Sequence, residues 1–243
     1  MTRRVPWMFL VTAASLAALV AVLPHSATVF SYLFPALERP VYTQEPFFWL
    51  LLQHIKLVAV SSLFAVVVGT AIGVACTRSW GLRFKPLVES VLATSQAFPP
   101  VAVLALAVPL VGFGELPALL ALGLYALLPV VQGTVSGLHN VPVAQHQTAL
   151  SLGLSPAQCL HYVDIPLALP VWLAGVRTSV IINIGTATIA STVGAKTLGS
   201  HIIVGLSGFN TAYVLQGALL VALLAVVVDL AFELIAQQAR WQH

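Results

Sequence analysis

The strongest constraint on the fold is a series of long apolar runs, each separated from the next by a short polar break. Of the 243 residues, 59% are hydrophobic and 7% are charged, and the mean hydropathy is +0.99. A soluble domain carries about 25% charged residues. Runs of about 20 apolar residues are long enough to cross the hydrocarbon core of a bilayer as helices. The sequence therefore predicts an all-α polytopic membrane protein and excludes a soluble core.

Six of these runs are predicted to be transmembrane helices. They lie at about 7–23, 50–76, 86–111, 118–138, 167–193 and 214–235. The first run could instead be a signal peptide, but no A-x-A-like cleavage site follows it, which favours an uncleaved span. We therefore divide the chain into residues 1–48, an N-terminal transmembrane helix with an external connector, and residues 49–243, the main membrane domain.

The distribution of basic residues predicts which side of the membrane each loop occupies. Lys and Arg are enriched in short cytoplasmic loops. Most of these residues fall before the first run, between the second and third runs, and near the end of the chain: Arg3, Arg4, Arg78, Arg83, Lys85 and Arg240. Both termini and the loop at 139–165 are accordingly predicted to face the cytoplasm.

Two of the predicted spans contain features suited to a passage through the membrane. The third span is interrupted by two adjacent prolines, which remove two amide donors and must bend or break the helix. Such breaks are tolerated where the backbone lines a cavity or is buried in protein. The fifth span is rich in small and polar residues, which either pack helices closely or line a passage. The candidate passage residues are Gln96, Pro99, Pro100, Asn183, Thr186 and Thr188.

Three charged residues lie in the last two spans. Arg177 is in the fifth span, where burial of an uncompensated cation in lipid is costly, so it is a candidate functional residue. Asp229 and Glu233 lie four residues apart near the inner end of the sixth span. For these two carboxylates we expect solvation by water or lipid headgroups.

The loop between the fourth and fifth spans contains residues that typically begin and end short helices. Residues 143–152 can form a helix, and Gly153 stands where a helix C-cap needs a positive φ. Ser155 and Pro156 suit the N-cap and first position of a second helix. That second helix is predicted to end before Pro166. A helix–turn–helix of this kind between two spans is suited to docking into a cleft on another protein.

This loop resembles the signature loop of binding-protein-dependent ATP-binding-cassette importer permeases. In that family the order is Glu-Ala-Ala, three further residues, Gly, twelve further residues and then Pro. Here Gln147, Thr148 and Ala149 occupy the first three places, followed by Gly153 and Pro166 at the same spacing. The resemblance implies that the loop, including Ser155, couples the permease to its ATPase. Gln147 replaces the family's acid and can offer only a neutral hydrogen bond.

Other stretches resemble the osmoprotectant branch of these importers, which carries glycine betaine, choline and related quaternary ammonium compounds. They are Leu-Leu-Gln-His-Ile at 51–55, Ala-Phe-Pro-Pro at 97–100, Leu-Tyr-Ala-Leu-Leu-Pro at 124–129, Ala-Gly-Val-Arg at 174–177 and Gly-Ala-Lys-Thr-Leu-Gly at 194–199. The resemblance implies a non-catalytic subunit of a bacterial inner membrane. Its implied partners are a second permease, identical or homologous, a cytoplasmic ATPase and an extracytoplasmic substrate-binding protein.

The sequence carries no motif for chemistry of its own. The stretch at 194–197 lacks the spacing of a phosphate-binding loop, and no Ser–His–Asp, H-E-x-x-H or Cys/His pattern occurs. We therefore expect no cofactor, no metal and no nucleic acid, and we expect ATP hydrolysis to come from a partner. The alternative is a secondary transporter, which would need coupling-ion ligands near the midplane on broken helices in repeated halves. The sequence has few mid-membrane charges and no evident internal repeat.

Overall fold

The computed structural model describes residues 4–240, which are mostly helical and contain no β-strand. The helices are α1 (Arg4–Val22), α2 (Ala27–Leu33), α3 (Phe47–Thr77), α4 (Lys85–Ala97), α5 (Pro100–Val111), α6 (Glu115–His139), α7 (Val143–Ser151), α8 (Pro156–Cys159), α9 (Ile165–Thr186), α10 (Gly199–Ser207) and α11 (Thr211–Arg240). Three 3-10 turns (Leu23–His25, Leu82–Phe84 and Ile189–Val193) and one π-helical turn (Leu160–Asp164) lie between them. The predicted all-α fold is confirmed.

Between residues 4 and 240, five continuous helical segments are long and apolar enough to cross a bilayer. They are Val5–His25, Phe47–Thr77, Glu115–His139, Pro156–Thr186 and Thr211–Gln238. A sixth candidate is the bent pair Leu82–Ala97 and Pro100–Val111, whose two helices meet at 94°. Phe98 and Pro99 are extended at the bend, as expected for residues that each precede a proline. The predicted break in the third span is confirmed.

Helix α6 packs against α3 on one side and α9 on the other. Small residues allow both approaches. A Cβ placed on Gly73 of α3 would lie 2.5 Å from the Cβ of Thr134, and one placed on Gly175 of α9 would lie 2.6 Å from the carbonyl oxygen of Pro129. Helices surrounded by lipid associate through such close van der Waals packing. The three helices therefore form the central packing unit of the membrane domain.

The end of the fifth span differs from its prediction. The sequence predicts a span that reaches Val193, but α9 ends at Thr186 and a 3-10 turn follows at Ile189–Val193. The hydroxyl groups of Thr188 and Thr192 donate to the carbonyls of Gly185 and Ile189, three residues back in each case. Bonds of this kind compete with the regular helical ladder. The next stretch, which lies between the fifth and sixth predicted spans, contains the helix α10.

The N-terminal part of the chain is packed against the last helix. Helix α1 lies along α11. In the connector, the backbone N–H of Tyr42 donates to the Gln216 side-chain oxygen at 3.1 Å, and the Gln216 amide donates to the carbonyl of Pro40. The Asn210 side chain donates to the carbonyl of Arg39. The connector is thus held at the end of the bundle formed by α10 and the start of α11. The division of the chain at residue 48 stays a prediction.

Candidate functional site

The turn after α7 has the geometry predicted for Gly153. Its φ is +88°, the left-handed region that favours glycine. The N–H of Gly153 donates to the carbonyl of Leu150 at 2.9 Å, and the N–H of Leu154 donates to that of Ala149 at 3.2 Å. These two bonds form a Schellman motif, which satisfies carbonyl groups that the helix end would otherwise leave free. The end of α7 is therefore fixed by the backbone conformation of one glycine.

The second helix begins as predicted. The Ser155 hydroxyl accepts from the backbone N–H of Gln158 at 3.4 Å, and the Gln158 side chain accepts from the N–H of Ser155 at 2.8 Å. Together the two bonds form a capping box, with Pro156 in the first turn. Gln158 was not among the predicted site residues, although its spacing from Ser155 is that of the motif.

The prediction that this helix ends before Pro166 is wrong. Helix α8 passes through the π-helical turn Leu160–Asp164 into α9 without interruption. The N–H of Ile165 donates to the carbonyl of Leu160, five residues back. In a regular helix the proline ring clashes with the carbonyl four residues earlier. The wider turn just before Pro166 relieves that clash, so the helix continues.

Helix α7 presents side chains that nothing in the described chain covers. Gln147 and Thr148 are exposed, whereas Ala149 is buried against the rest of the protein. The apolar residues around them are also exposed: Val143 is 68% exposed, Leu150 44% and Leu152 76%. Exposed apolar residues grouped on a short polar helix are typical of a surface that binds a partner.

A hydrogen bond joins α7 to the turn before α9. Nδ1 of His146 lies 2.9 Å from Oδ1 of Asp164. The two residues line a cavity of about 350 Å³, together with Thr77, Arg78, Leu82, Leu138, His139, Val141 and Val143. The ends of α3 and α6 and the start of α7 therefore meet at one end of the bundle. We call it the α7 end.

The bend between α4 and α5 is supported by polar contacts to α6. The Gln96 amide donates to the carbonyl of Tyr125 at 2.9 Å, and the Tyr125 hydroxyl donates to the carbonyl of Phe98. That carbonyl lies directly before Pro99, where the helical ladder is broken, so the bond satisfies an otherwise free backbone group. Pro99 is exposed and Pro100 is half-buried. Tyr125 was missed because its role depends on a contact between distant segments.

Asn183 is placed differently from the other candidate passage residues. Its side chain is fully buried between α9 and α3 and donates to the hydroxyl groups of Ser61 and Ser62, both at 3.1 Å. Thr186 and Thr188 are half-buried. In this conformation Asn183 joins two helices and does not face an open passage.

The expectation that Asp229 and Glu233 are merely solvated is wrong. The Arg177 guanidinium donates to both oxygens of Asp229 at 2.6 and 2.7 Å and to Glu233 at 2.8 Å. The three side chains are about one third exposed, at 31% for Arg177 and 36% for each carboxylate. A cation in an apolar helix requires a partner, and α11 supplies two. Each charge is visible separately in the sequence, but their pairing depends on how α9 and α11 pack.

An aromatic cluster closes the opposite end of the bundle, near α10. The ring of His201 lies 4.3 Å from that of Tyr42 and 4.6 Å from that of Phe47, measured between centroids. His201 is fully buried. Because burial disfavours the charged imidazolium, the pKa of His201 is lowered to about 4. This cluster packs the connector and the start of α3 against α10.

Comparison with known sequences identifies one family over most of the chain. Residues 65–241 match the model of the binding-protein-dependent transport system inner membrane component. A choline transport system permease protein of Bacillus subtilis is 35% identical over 177 residues, which cover 73% of this chain and 81% of that protein. An osmoprotectant import permease protein of Salmonella typhimurium is 37% identical over 177 residues, which cover 73% of this chain and 75% of that protein.

Solved structures share the fold at lower sequence identity. An inward-facing form of the MetNI methionine ABC transporter has a TM-score of 0.70 and 21% identity, and the match covers 81% of this chain and 99% of that one. A crystal structure of an amino acid ABC transporter with histidines has a TM-score of 0.62 and 20% identity, covering 81% and 93%. At this identity the likeness concerns the arrangement of helices.

Proposed function

We propose a function from the premise that the chain belongs to the family of binding-protein-dependent transport system inner membrane components. The chain is the permease subunit of an ATP-driven importer for choline, glycine betaine or a related quaternary ammonium osmoprotectant. It receives substrate from an extracytoplasmic binding protein and releases it to the cytoplasm by alternating access.

The substrate class rests on the relatives. The permeases at 35% and 37% identity are named for choline transport and osmoprotectant import, and a third, at 33%, for transport of glycine betaine, carnitine and choline. These solutes share a trimethylammonium group.

The single observation that carries the ATP-coupled mechanism is the geometry of the loop around Gly153. Two short helices meet at a glycine turn, and α7 exposes Gln147 and Thr148 beside uncovered apolar residues. We assign docking of a cytoplasmic ATPase to this surface, with Ser155 and Pro166 holding the helix that leads into α9. The α7 end and both termini then face the cytoplasm, as the basic residues also indicate.

We assign the substrate passage to the surface near the bend between α4 and α5 and near the C-terminal end of α9. Gln96, Pro99 and Pro100 hold the bend, and Thr186 and Thr188 lie partly exposed at the end of α9. Asn183 is buried and does not lie on this surface, but its hydrogen bonds to Ser61 and Ser62 hold α9 against α3. A second permease, identical or homologous, completes the passage on its other side.

A competition experiment tests the substrate class. Cells that lack their own osmoprotectant uptake are supplied with this chain and the complete set of partner subunits, and uptake of labelled choline is measured. Unlabelled glycine betaine and carnitine should compete, whereas proline and methionine should not. Uptake of proline or methionine without uptake of any quaternary ammonium compound would contradict the assignment.

A further inference from the structure

The hydrogen bond between His146 and Asp164 connects the surface assigned to the ATPase with a membrane-spanning helix. His146 lies on α7, directly before Gln147. Asp164 is the last residue of the π-helical turn that leads into α9. The two side chains are 2.9 Å apart although 18 residues separate them in sequence. A movement of α7 can therefore reach α9 through this bond as well as along the chain.

Because Asp164 is buried, loss of its hydrogen bond to His146 is costly in free energy. The Asp164 side chain is only 7% exposed, whereas that of His146 is 39% exposed. A carboxylate that loses its hydrogen-bond partner in such a place retains a large desolvation penalty. Across residues 4–240, the structure gives Asp164 no ion-pair partner other than His146. Arg78 lines the same cavity, but its guanidinium bonds to the hydroxyl of Thr77.

Asp164 also lies in the π-helical turn, where the spacing of the backbone hydrogen bonds along the helix changes. The N–H of Ile165, the next residue, donates to the carbonyl of Leu160 across a wide π turn. Single π turns inside α-helices are frequent at functional sites. A bond placed at this turn fixes the direction in which α9 leaves the loop.

We propose that His146 and Asp164 are positioning residues that transmit movement of α7 to α9 during transport. The pair acts by holding the two helices at a fixed angle, and neither residue touches the substrate or ATP. This inference rests on the proposed function, because it requires that α7 is the docking element for an ATPase.

The test compares substrate imported per ATP hydrolysed in reconstituted complexes. Replacing both residues, as His146→Leu with Asp164→Leu, removes the link without leaving a buried charge unpaired. We expect this double variant to assemble and bind the ATPase with nearly normal thermal stability, and to import about tenfold less substrate per ATP, the change expected for loss of a charge-assisted hydrogen bond.

Two single variants distinguish loss of the His146–Asp164 hydrogen bond from a general loss of stability. His146→Asn places an amide nitrogen at the same position in the side chain as Nδ1, so it keeps a donor for Asp164 and should retain coupling. His161→Leu is the matched control, because His161 is an exposed histidine of the same loop. It should leave coupling unchanged.

The outcomes are distinguishable. An assembled double variant that imports as much substrate per ATP as the unaltered complex would overturn the inference and leave the proposed function in place. An assembled His146→Asn complex that is uncoupled would also overturn it. If the unaltered complex itself hydrolyses ATP without import, the proposed function fails, and this inference fails with it.

Discussion

Gly133 of α6 and Gly175 of α9 lie in direct backbone contact. A Cβ on either residue would come within 2.9 Å of the Cα of the other. Backbone atoms cannot move aside as the end of a flexible side chain can. The crossing of α6 and α9, the two helices that flank the loop at 139–165, therefore depends on the absence of side chains at these two positions.

Gly175→Val should separate α6 from α9 and destabilise the protein. Overpacking at a tight contact typically costs about 1–3 kcal/mol. The expected result is a lower thermal unfolding midpoint of the purified protein and a smaller assembled fraction. Gly185→Ala is the matched control, since Gly185 lies on the same helix and an added Cβ there meets nothing within 4 Å. Equal stability of the two variants would show that the contact is not tight.

Gly153→Val should uncouple transport without preventing insertion into the membrane. A Cβ at Gly153 also meets nothing within 4 Å, so the penalty is conformational. Placing a residue with a Cβ in the left-handed region costs ~1–2 kcal/mol, and a β-branched residue costs more. The end of α7 should then adopt another angle. Uptake and ATPase activity are measured on the same assembled complexes.

Gly153→Asn is the control for this position, because Asn tolerates the left-handed conformation better than Val. Gln147→Ala should have a smaller effect than Gly153→Val, since a neutral, exposed hydrogen bond contributes only about 1 kcal/mol. Normal transport by Gly153→Val, together with loss of transport in Gln147→Ala, would contradict the proposed role of the glycine turn.

Arg177→Leu should destabilise the pairing of α9 with α11. It leaves the carboxylates of Asp229 and Glu233 close together without a cation. Breaking a buried pair costs 3–5 kcal/mol, and because these side chains are about one third exposed we expect about half of that. The triple variant with leucine at all three positions should recover part of the lost stability. Thermal unfolding midpoints compare the stability of the two variants. A triple variant less stable than Arg177→Leu would contradict this prediction.

Asn183→Leu should lower stability by about 1 kcal/mol, the usual size of an interhelical hydrogen bond in a membrane. Ser61 keeps bonds to the carbonyls of Leu57 and Val58, so its hydroxyl is not left free. Uptake per assembled complex should be nearly unchanged, because the side chain is enclosed. A loss of uptake in fully assembled, stable complexes would instead place Asn183 in contact with the substrate.

Local sequence patterns were sufficient for three of the predicted turns and breaks. The glycine at 153, the cap at Ser155 and the bend at Pro99 each follow from the backbone preferences of one or two residues. The contacts that hold these elements together could not be predicted in the same way. The bonds of Tyr125 to Phe98 and of Arg177 to Asp229 join residues 27 and 52 positions apart, and only the packing of helices decides which distant side chains meet.

Pro166 shows how a local rule can be overridden. A proline commonly ends a helix, and the sequence alone predicted an end there. The π-helical turn before it removes the clash and lets α8 continue directly into α9. That continuity gives the loop at 139–165 a helical connection to α9, which a break before Pro166 would have interrupted.

The source of energy for uptake tests the central claim most directly. The chain is reconstituted in liposomes with its ATPase and binding protein, and labelled substrate uptake is measured with and without ATP on the ATPase side. We predict accumulation that requires both ATP and the binding protein and that persists when ionophores dissipate sodium and proton gradients. Accumulation by the chain alone, driven by an ion gradient in the absence of any ATPase, would contradict the account.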